Sequence, residues 1–378
     1  MPGRSPLREL RSRSGPRILI IRLSALGDVV HALPSLARLR EALPEATIGW
    51  AVEDRAASLL QGHPQLDQLH VVPRGAWANL VKKDPLAVLR GLRRQARELR
   101  AGRYDVTLDF QSNTRSAALA WLTGAPRRIG QPKPFAKEAA RLFATDAPAP
   151  VAKEVHKIER NLQLLAPLGI VPGPAPRPVI PEPEAAGAAA DAIASGRRPL
   201  VVIHPGVSVF GALKAWPEER FAALGARLAE DGARVLFAWG GAAEERLARS
   251  LAAAAPGTEA APKTAGILGF AALLRRADLV VGVDSGPLHL AAAVGAPVLG
   301  LYGPKHPQTY GPFWAPSEVV RSGIECSPCR YRRCPRDDAR PVESVMGALK
   351  ISPCMDRLEV DVALDAARRL LATRASHA

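Results

Sequence analysis

The feature that most constrains this chain is an alternation, run twice, of short β-branched segments with amphipathic helical ones. Residues 17–22, Arg-Ile-Leu-Ile-Ile-Arg, have the pattern of a buried strand, and Leu33, Leu36, Leu39 and Leu43 then recur at helical spacing. Residues 47–52, 69–72 and 105–110 read as further strands, with helical stretches between them that include an Arg-rich segment at 85–100. A helical pattern at 153–168 closes this half, and residues 169–199 are rich in Pro, Ala and Gly. The rhythm then restarts, with strands at 200–204, 234–239, 279–284 and 297–302 and helices between them. Strands that alternate with helices require crossovers and hence parallel sheets. The expected architecture is α/β, with two Rossmann-like domains whose parallel sheets face each other across a cleft. The expected boundaries are a disordered basic leader at 1–16, a first domain at 17–170, a linker at 171–199 and a second domain at 200–357. A terminal helix at 358–374 has no strand partner and is expected to pack back on the first domain.

A chain of 378 residues is long for a single core, which agrees with two domains. The formal charge of +15 admits three partners: nucleic acid, an anionic membrane surface, or an anionic substrate. Aromatic residues are only 5% and no interleaved basic–aromatic motif occurs, so nucleic acid is set aside. The N-terminus lacks the apolar core of a secretion signal. No stretch reaches the ~18 apolar residues that a spanning helix needs. The expected location is therefore cytoplasmic, with peripheral contact at the inner face of a membrane.

Four segments carry chemistry. In Val283-Asp284-Ser285-Gly286-Pro287-Leu288-His289 a strand turns into a helix with Pro near its start. The free N–H groups and the dipole of such a helix end attract anions. The alternative is a capped junction, with Asp284 or Ser285 as the cap and His289 packed inside. In the segment from His204 to Glu218 a strand ends at a glycine turn. Ser208 could donate to a phosphate there, and Lys214 could meet it as a point charge or stand solvated in a loop. In Ser24-Ala25-Leu26-Gly27-Asp28, Asp28 is either a helix cap or a general base. After Trp239-Gly240-Gly241, Glu244 is a candidate for ribose hydroxyls or a first-turn acid favoured by the dipole. No P-loop, no G-x-G-x-x-G, no H-E-x-x-H and no D-x-D pair is present.

Together and in this order, the segments resemble the family nine glycosyltransferases, the heptosyltransferases that extend the inner core of lipopolysaccharide. The match is carried by ILIIRLSALGDVVHALP at 18–34, HKIERNL at 156–162, HPGVS, KAWPEERF, FAWGGAAEER, VGVDSGPLHLAAAVGAPVLGLYGP and CSPCRYRRCP. The resemblance implies a GT-B fold and an inverting, metal-independent transfer of heptose from ADP-heptose to a Kdo- or heptose-lipid A acceptor, without a cofactor. It implies Asp28 as the base, Lys214 at the donor phosphate and sugar, and Asp284 at the sugar hydroxyls. Ser285, Gly286, Leu288 and His289 fall at the diphosphate, with Ser208 and Glu244 as further donor contacts. A relative using another nucleotide sugar, or a nucleotide-binding protein without transfer activity, is the alternative. The resemblance makes the membrane the inner membrane, and the charge then acquires a use, since Arg90, Arg93, Arg94, Arg97 and the basic loop 130–141 could steer onto an anionic lipid acceptor. A monomer is expected. Cys326, Cys329, Cys334 and Cys354, spaced C-x2-C-x4-C-x19-C, read either as a tetrahedral zinc site or as reduced structural thiols.

Overall fold

The computed structural model describes residues 6–12, 15–80, 82–207, 209–314, 316–329, 331, 333–344 and 347–375. Two compact units divide at Pro181 and Glu182.

The first unit holds five strands: β1 (Arg17–Ile21), β2 (Thr47–Glu53), β3 (Gln68–Val72), β4 (Val106–Asp109) and β5 (Arg127–Gly130). They pair in the order β3-β2-β1-β4-β5, all parallel. The order reverses between β1 and β4, and at such a switch point the two crossovers leave in opposite directions and open a crevice beyond the strands' carboxyl ends. The β-branched and leucine residues that marked β1 are wholly buried, as the pattern requires of a central strand.

The second unit repeats the plan with β6 (Leu200–His204), β7 (Arg234–Phe237), β8 (Thr258–Ala260), β9 (Leu279–Val283), β10 (Val298–Leu301) and β11 (Ser317–Val320). Their order is β11-β10-β9-β6-β7-β8, again parallel, so the reversal lies between β6 and β9. A hairpin of β12 (Arg340–Ser344) and β13 (Gly347–Ile351) follows, in the stretch before the last cysteine. Each unit is thus a Rossmann-like half of the kind a GT-B fold contains.

Three expectations about the ends and the joint differ from the structure. The supposed disordered leader contains a helix, Pro6–Ser12, whose Leu10 is buried. The supposed linker contains a helix, Glu184–Ala194, packed on the helix Gly266–Arg276, because its alanines present a smooth apolar face. The terminal helix Val360–Ala375 lies on its own unit, against the helix Glu218–Glu230 and strands β9 to β11. Its Ala363, Leu364, Ala366, Ala367 and Leu370 complete the core built by Phe221, Leu224, Leu228, Leu299 and Leu301.

Candidate functional site

At the switch point of the first sheet, the chain leaves β1 through Arg22 and Leu23 and enters a short helix, Leu26–Val30. Asp28 sits in its first turn, but the cap position is Ala25 and no side chain caps the end, so the capping reading of Asp28 does not hold. Its carboxylate instead lies between two cations. Arg22 pairs with Oδ2, and Lys157 donates to and pairs with Oδ1. Arg22 is buried and also donates through Nη1 to the Phe110 carbonyl at 2.5 Å, which fixes its guanidinium beside β4. Lys157 opens the helix Lys157–Gln163. Four residues on, and so on the same face, Asn161 donates through Nδ2 to the His31 carbonyl at 2.9 Å. One helix face thereby holds both ends of the segment from Asp28 to His31. The Asp28 side chain keeps 29% exposure, enough to be reached by a ligand.

Burial by itself would raise the Asp28 pKa; Arg22 and Lys157 outweigh it and hold the carboxyl well below its usual range. Burial pushes Lys157 down to about 8, against the pull of Asp28, and the Arg22 charge adds to the fall.

The other side of this switch point is built by Asp109, which closes β4 and is buried. Its carboxylate accepts from the N–H groups of Gln111 at 3.0 Å and Ser112 at 2.8 Å, and from the Ser116 hydroxyl at 2.9 Å. Gln111 then turns back, its Oε1 accepting from the N–H groups of Leu23 at 3.0 Å and Ser24 at 3.2 Å. Burial pushes the Asp109 carboxyl up to about 6 despite these donors. Sequence reasoning missed Asp109, Gln111, Arg22 as a partner of Asp28, and Lys157, because nothing local marks a pairing that the topology makes.

In the second unit the loops after β6 and β9 flank the switch point in the same way. Asp284 follows β9, and Lys214, at the end of the 3₁₀ turn Val209–Lys214, reaches it from the β6 side. The Lys214 ammonium lies 2.7 Å from Asp284 Oδ2 and donates to the Asp284 carbonyl at 3.0 Å. His289 Nε2 lies 3.1 Å from Oδ1. Burial would raise the Asp284 pKa, but His289 and Lys214 bring it down to about 2. Asp284 is therefore an ion-paired carboxylate, and Lys214 is not a solvated lysine.

The helix Gly286–Val294 starts from an extended Ser285, whose side chain caps nothing and whose buried Oγ has no hydrogen-bond partner among the described residues. The first-turn bond from His289 N–H to the Ser285 carbonyl is 3.3 Å, and the N–H groups before it have no acceptor within the helix. Gly286 and Leu288 thus offer backbone donors, whereas the Leu288 side chain is buried against Gly282 and Gly300. Glu244 accepts from the Gly240 N–H at 2.7 Å and lies 3.8 Å from His204 Nε2. A Cβ on Gly206 would come within 2.6 Å of Glu244 Oε1, so a side chain there would displace the carboxylate. His204, buried at the end of β6, was not singled out from sequence; burial lowers its pKa against the pull of Glu244. Ser208 lies outside the described residues.

The four cysteines are free thiols, with Cys326 exposed and Cys354 buried. Among the described residues no group of three or more His, Cys, Asp or Glu is arranged to hold a metal; burial raises the Cys354 pKa, and the nearness of Cys329, Cys326 and Cys334 raises it further. No described helix is long and apolar enough to cross a membrane.

Residues 92–339 match the family described as glycosyltransferase family 9 (heptosyltransferase). The chain is 32% identical over 322 residues to lipopolysaccharide heptosyltransferase 1 of Pseudomonas aeruginosa, covering 84% of this chain and 87% of that one. Among solved structures it is similar to the E. coli heptosyltransferase WaaC with ADP, at a TM-score of 0.67 and 29% identity over 80% of this chain and 92% of that one. The same enzyme with ADP-2-deoxy-2-fluoro heptose gives a TM-score of 0.66 and 28% identity, over 81% and 93%.

Proposed function

Because this chain belongs to glycosyltransferase family 9 and is a heptosyltransferase of lipopolysaccharide core synthesis, we propose that its donor is ADP-heptose and its acceptor an anionic lipid A-core molecule. The reaction is a single displacement with inversion. The acceptor hydroxyl oxygen forms a bond to the anomeric carbon as the bond from that carbon to the diphosphate breaks. The bonding electron pair leaves with ADP, and the hydroxyl proton passes to Asp28.

The observation that carries this reading is the cluster of Lys214, Asp284 and His289 beside an uncapped helix start. Donors and a cation fixed before the reaction stabilise the charge that grows on a leaving diphosphate, and they need no metal to do so. Ser285 Oγ, Gly286 N–H and Leu288 N–H address the diphosphate, and the Asp284 carboxylate accepts from sugar hydroxyls. Glu244 extends the donor site, at the ribose. The side chain of His289 acts on the diphosphate only through the hold it has on Asp284. A carboxylate held as low as Asp28 is a weak base but is always ionised. It takes its proton late, once bond formation has made the acceptor hydroxyl acidic. The enzyme works in the cytoplasm as a monomer, at the membrane face where a lipid-anchored acceptor is presented. Incubation with a panel of nucleotide sugars and a truncated lipid core, read by mass spectrometry, tests the assignment. A heptosyl adduct formed from ADP-heptose alone is the expected result, and transfer from a different sugar nucleotide would refute the donor.

A further inference from the structure

We propose that the helix Pro85–Ala101 of the first unit is an interfacial docking helix that lays a leucine–arginine stripe on an anionic lipid surface. Asp84 caps it, accepting from Ala87 N–H at 2.8 Å, and it runs for 17 residues, yet only Gln95 and Leu99 are buried. Leu86, Leu89 and Leu92 are 63%, 42% and 45% exposed, and Leu80, at the end of the preceding helix Arg74–Leu80, is 38% exposed. Leu86, Leu89, Arg90, Arg93 and Arg97 stand at i, i+3, i+4, i+7 and i+11, which places them on one face. Arg93 and Arg97 are exposed and have no ion pair among the described residues; Arg90 has only a 3.5 Å contact to Asp84.

An exposed face with leucines at its first turns and arginines along the turns that follow selects its occupant. A second copy of the chain would set Arg90, Arg93 and Arg97 against themselves. A nucleic acid would satisfy the arginines but leave the leucines without a partner, and the stripe has no aromatic residue on which bases could stack. An anionic bilayer satisfies both, because leucines enter the acyl boundary while arginines stay at the headgroups. The choice of lipid over an acidic protein rests on the lipid-anchored acceptor proposed above.

The test is flotation of the full chain with vesicles of phosphatidylcholine alone and with about a quarter phosphatidylglycerol, at low and high salt. Binding to the anionic vesicles that weakens with salt is expected, at about fivefold per arginine removed in Arg90→Gln, Arg93→Gln and Arg97→Gln. Leu86→Ser with Leu89→Ser should lower binding about tenfold, while turnover on a deacylated, water-soluble acceptor stays unchanged. Normal transfer to that soluble acceptor without binding to anionic vesicles would overturn the docking helix and leave the proposed function standing. Binding that the leucine variants leave intact would also overturn it. Vesicle binding without any transfer would support the helix and contradict the proposed function.

Discussion

In the proposed reaction the chemistry turns on Asp28, whose properties come from the two cations beside it. Arg22 is locked by the Phe110 carbonyl, whereas Lys157, held at about 8 chiefly by burial, is the more adjustable of the pair. Replacing Lys157 with methionine keeps the length of the side chain and removes one cation. The Asp28 pKa then rises toward the ordinary carboxylate value of ~3.9. A base must be ionised to work, so an acid limb of kcat against pH that lies far below the working range in the wild type moves to higher pH in Lys157→Met, while Lys157→Arg leaves it where it was. A pH–rate profile of both variants checks this; superimposable acid limbs for the wild type and Lys157→Met would show that Lys157 does not tune the base.

At the scale of elements, Asp28 and Asp284 both stand at a strand-order reversal, and the loops there are tied across it. Gln111, held out by the Asp109 turn, accepts from Leu23 and Ser24 and so fixes the approach to Asp28 from the far side of the switch point. Gln111→Ala removes both bonds. At about 0.5–1.5 kcal/mol each, their loss is expected to lower kcat roughly tenfold and to leave the ADP dissociation constant, which the proposed function assigns to the other unit, unchanged. Steady-state kinetics with calorimetric ADP titration separates the two.

Much of this architecture could be read in the chain. The runs at β1 and β9 are continuous apolar segments ending in a polar turn, and the helices between them carry leucines at helical spacing. Strands β5, β8 and β11 were not legible, because Arg-Arg-Ile-Gly, Thr-Glu-Ala and Ser-Glu-Val-Val are short and partly polar and become strands only beside a formed neighbour. The donor cluster was half legible. Asp284, Lys214 and His289 could be named from their motifs, yet that Lys214 turns onto the Asp284 carboxylate depends on β6 and β9 being neighbours, which the sequence does not mark. The pairing of Asp28 with Lys157 spans 129 positions and has no local signature.

At the scale of the molecule, each unit has its own core, and the terminal helix belongs to the second. Arg227–Asp361 at 2.7 Å and Arg368–Asp231 at 2.8 Å fasten its rim, but its buried side chains matter more. Losing the burial of Leu364 and Leu370 costs about 2–5 kcal/mol each, a large part of the ~5–15 kcal/mol that stabilises a domain. A chain ending at Glu359 is therefore expected to lose the cooperative melting of the second unit and its ADP binding, with the transition of the first unit preserved. Scanning calorimetry reads both, and a single unshifted transition would place that helix outside the core.

The central claim, that Asp28 takes the acceptor proton while the second unit holds the donor, is tested most directly by Asp28→Asn. Its turnover with ADP-heptose and a truncated lipid-core acceptor is to be measured beside its ADP affinity. A fall in kcat of about 10²–10⁴ with the ADP dissociation constant unchanged is the predicted result. Turnover within a few-fold of the wild type would contradict it.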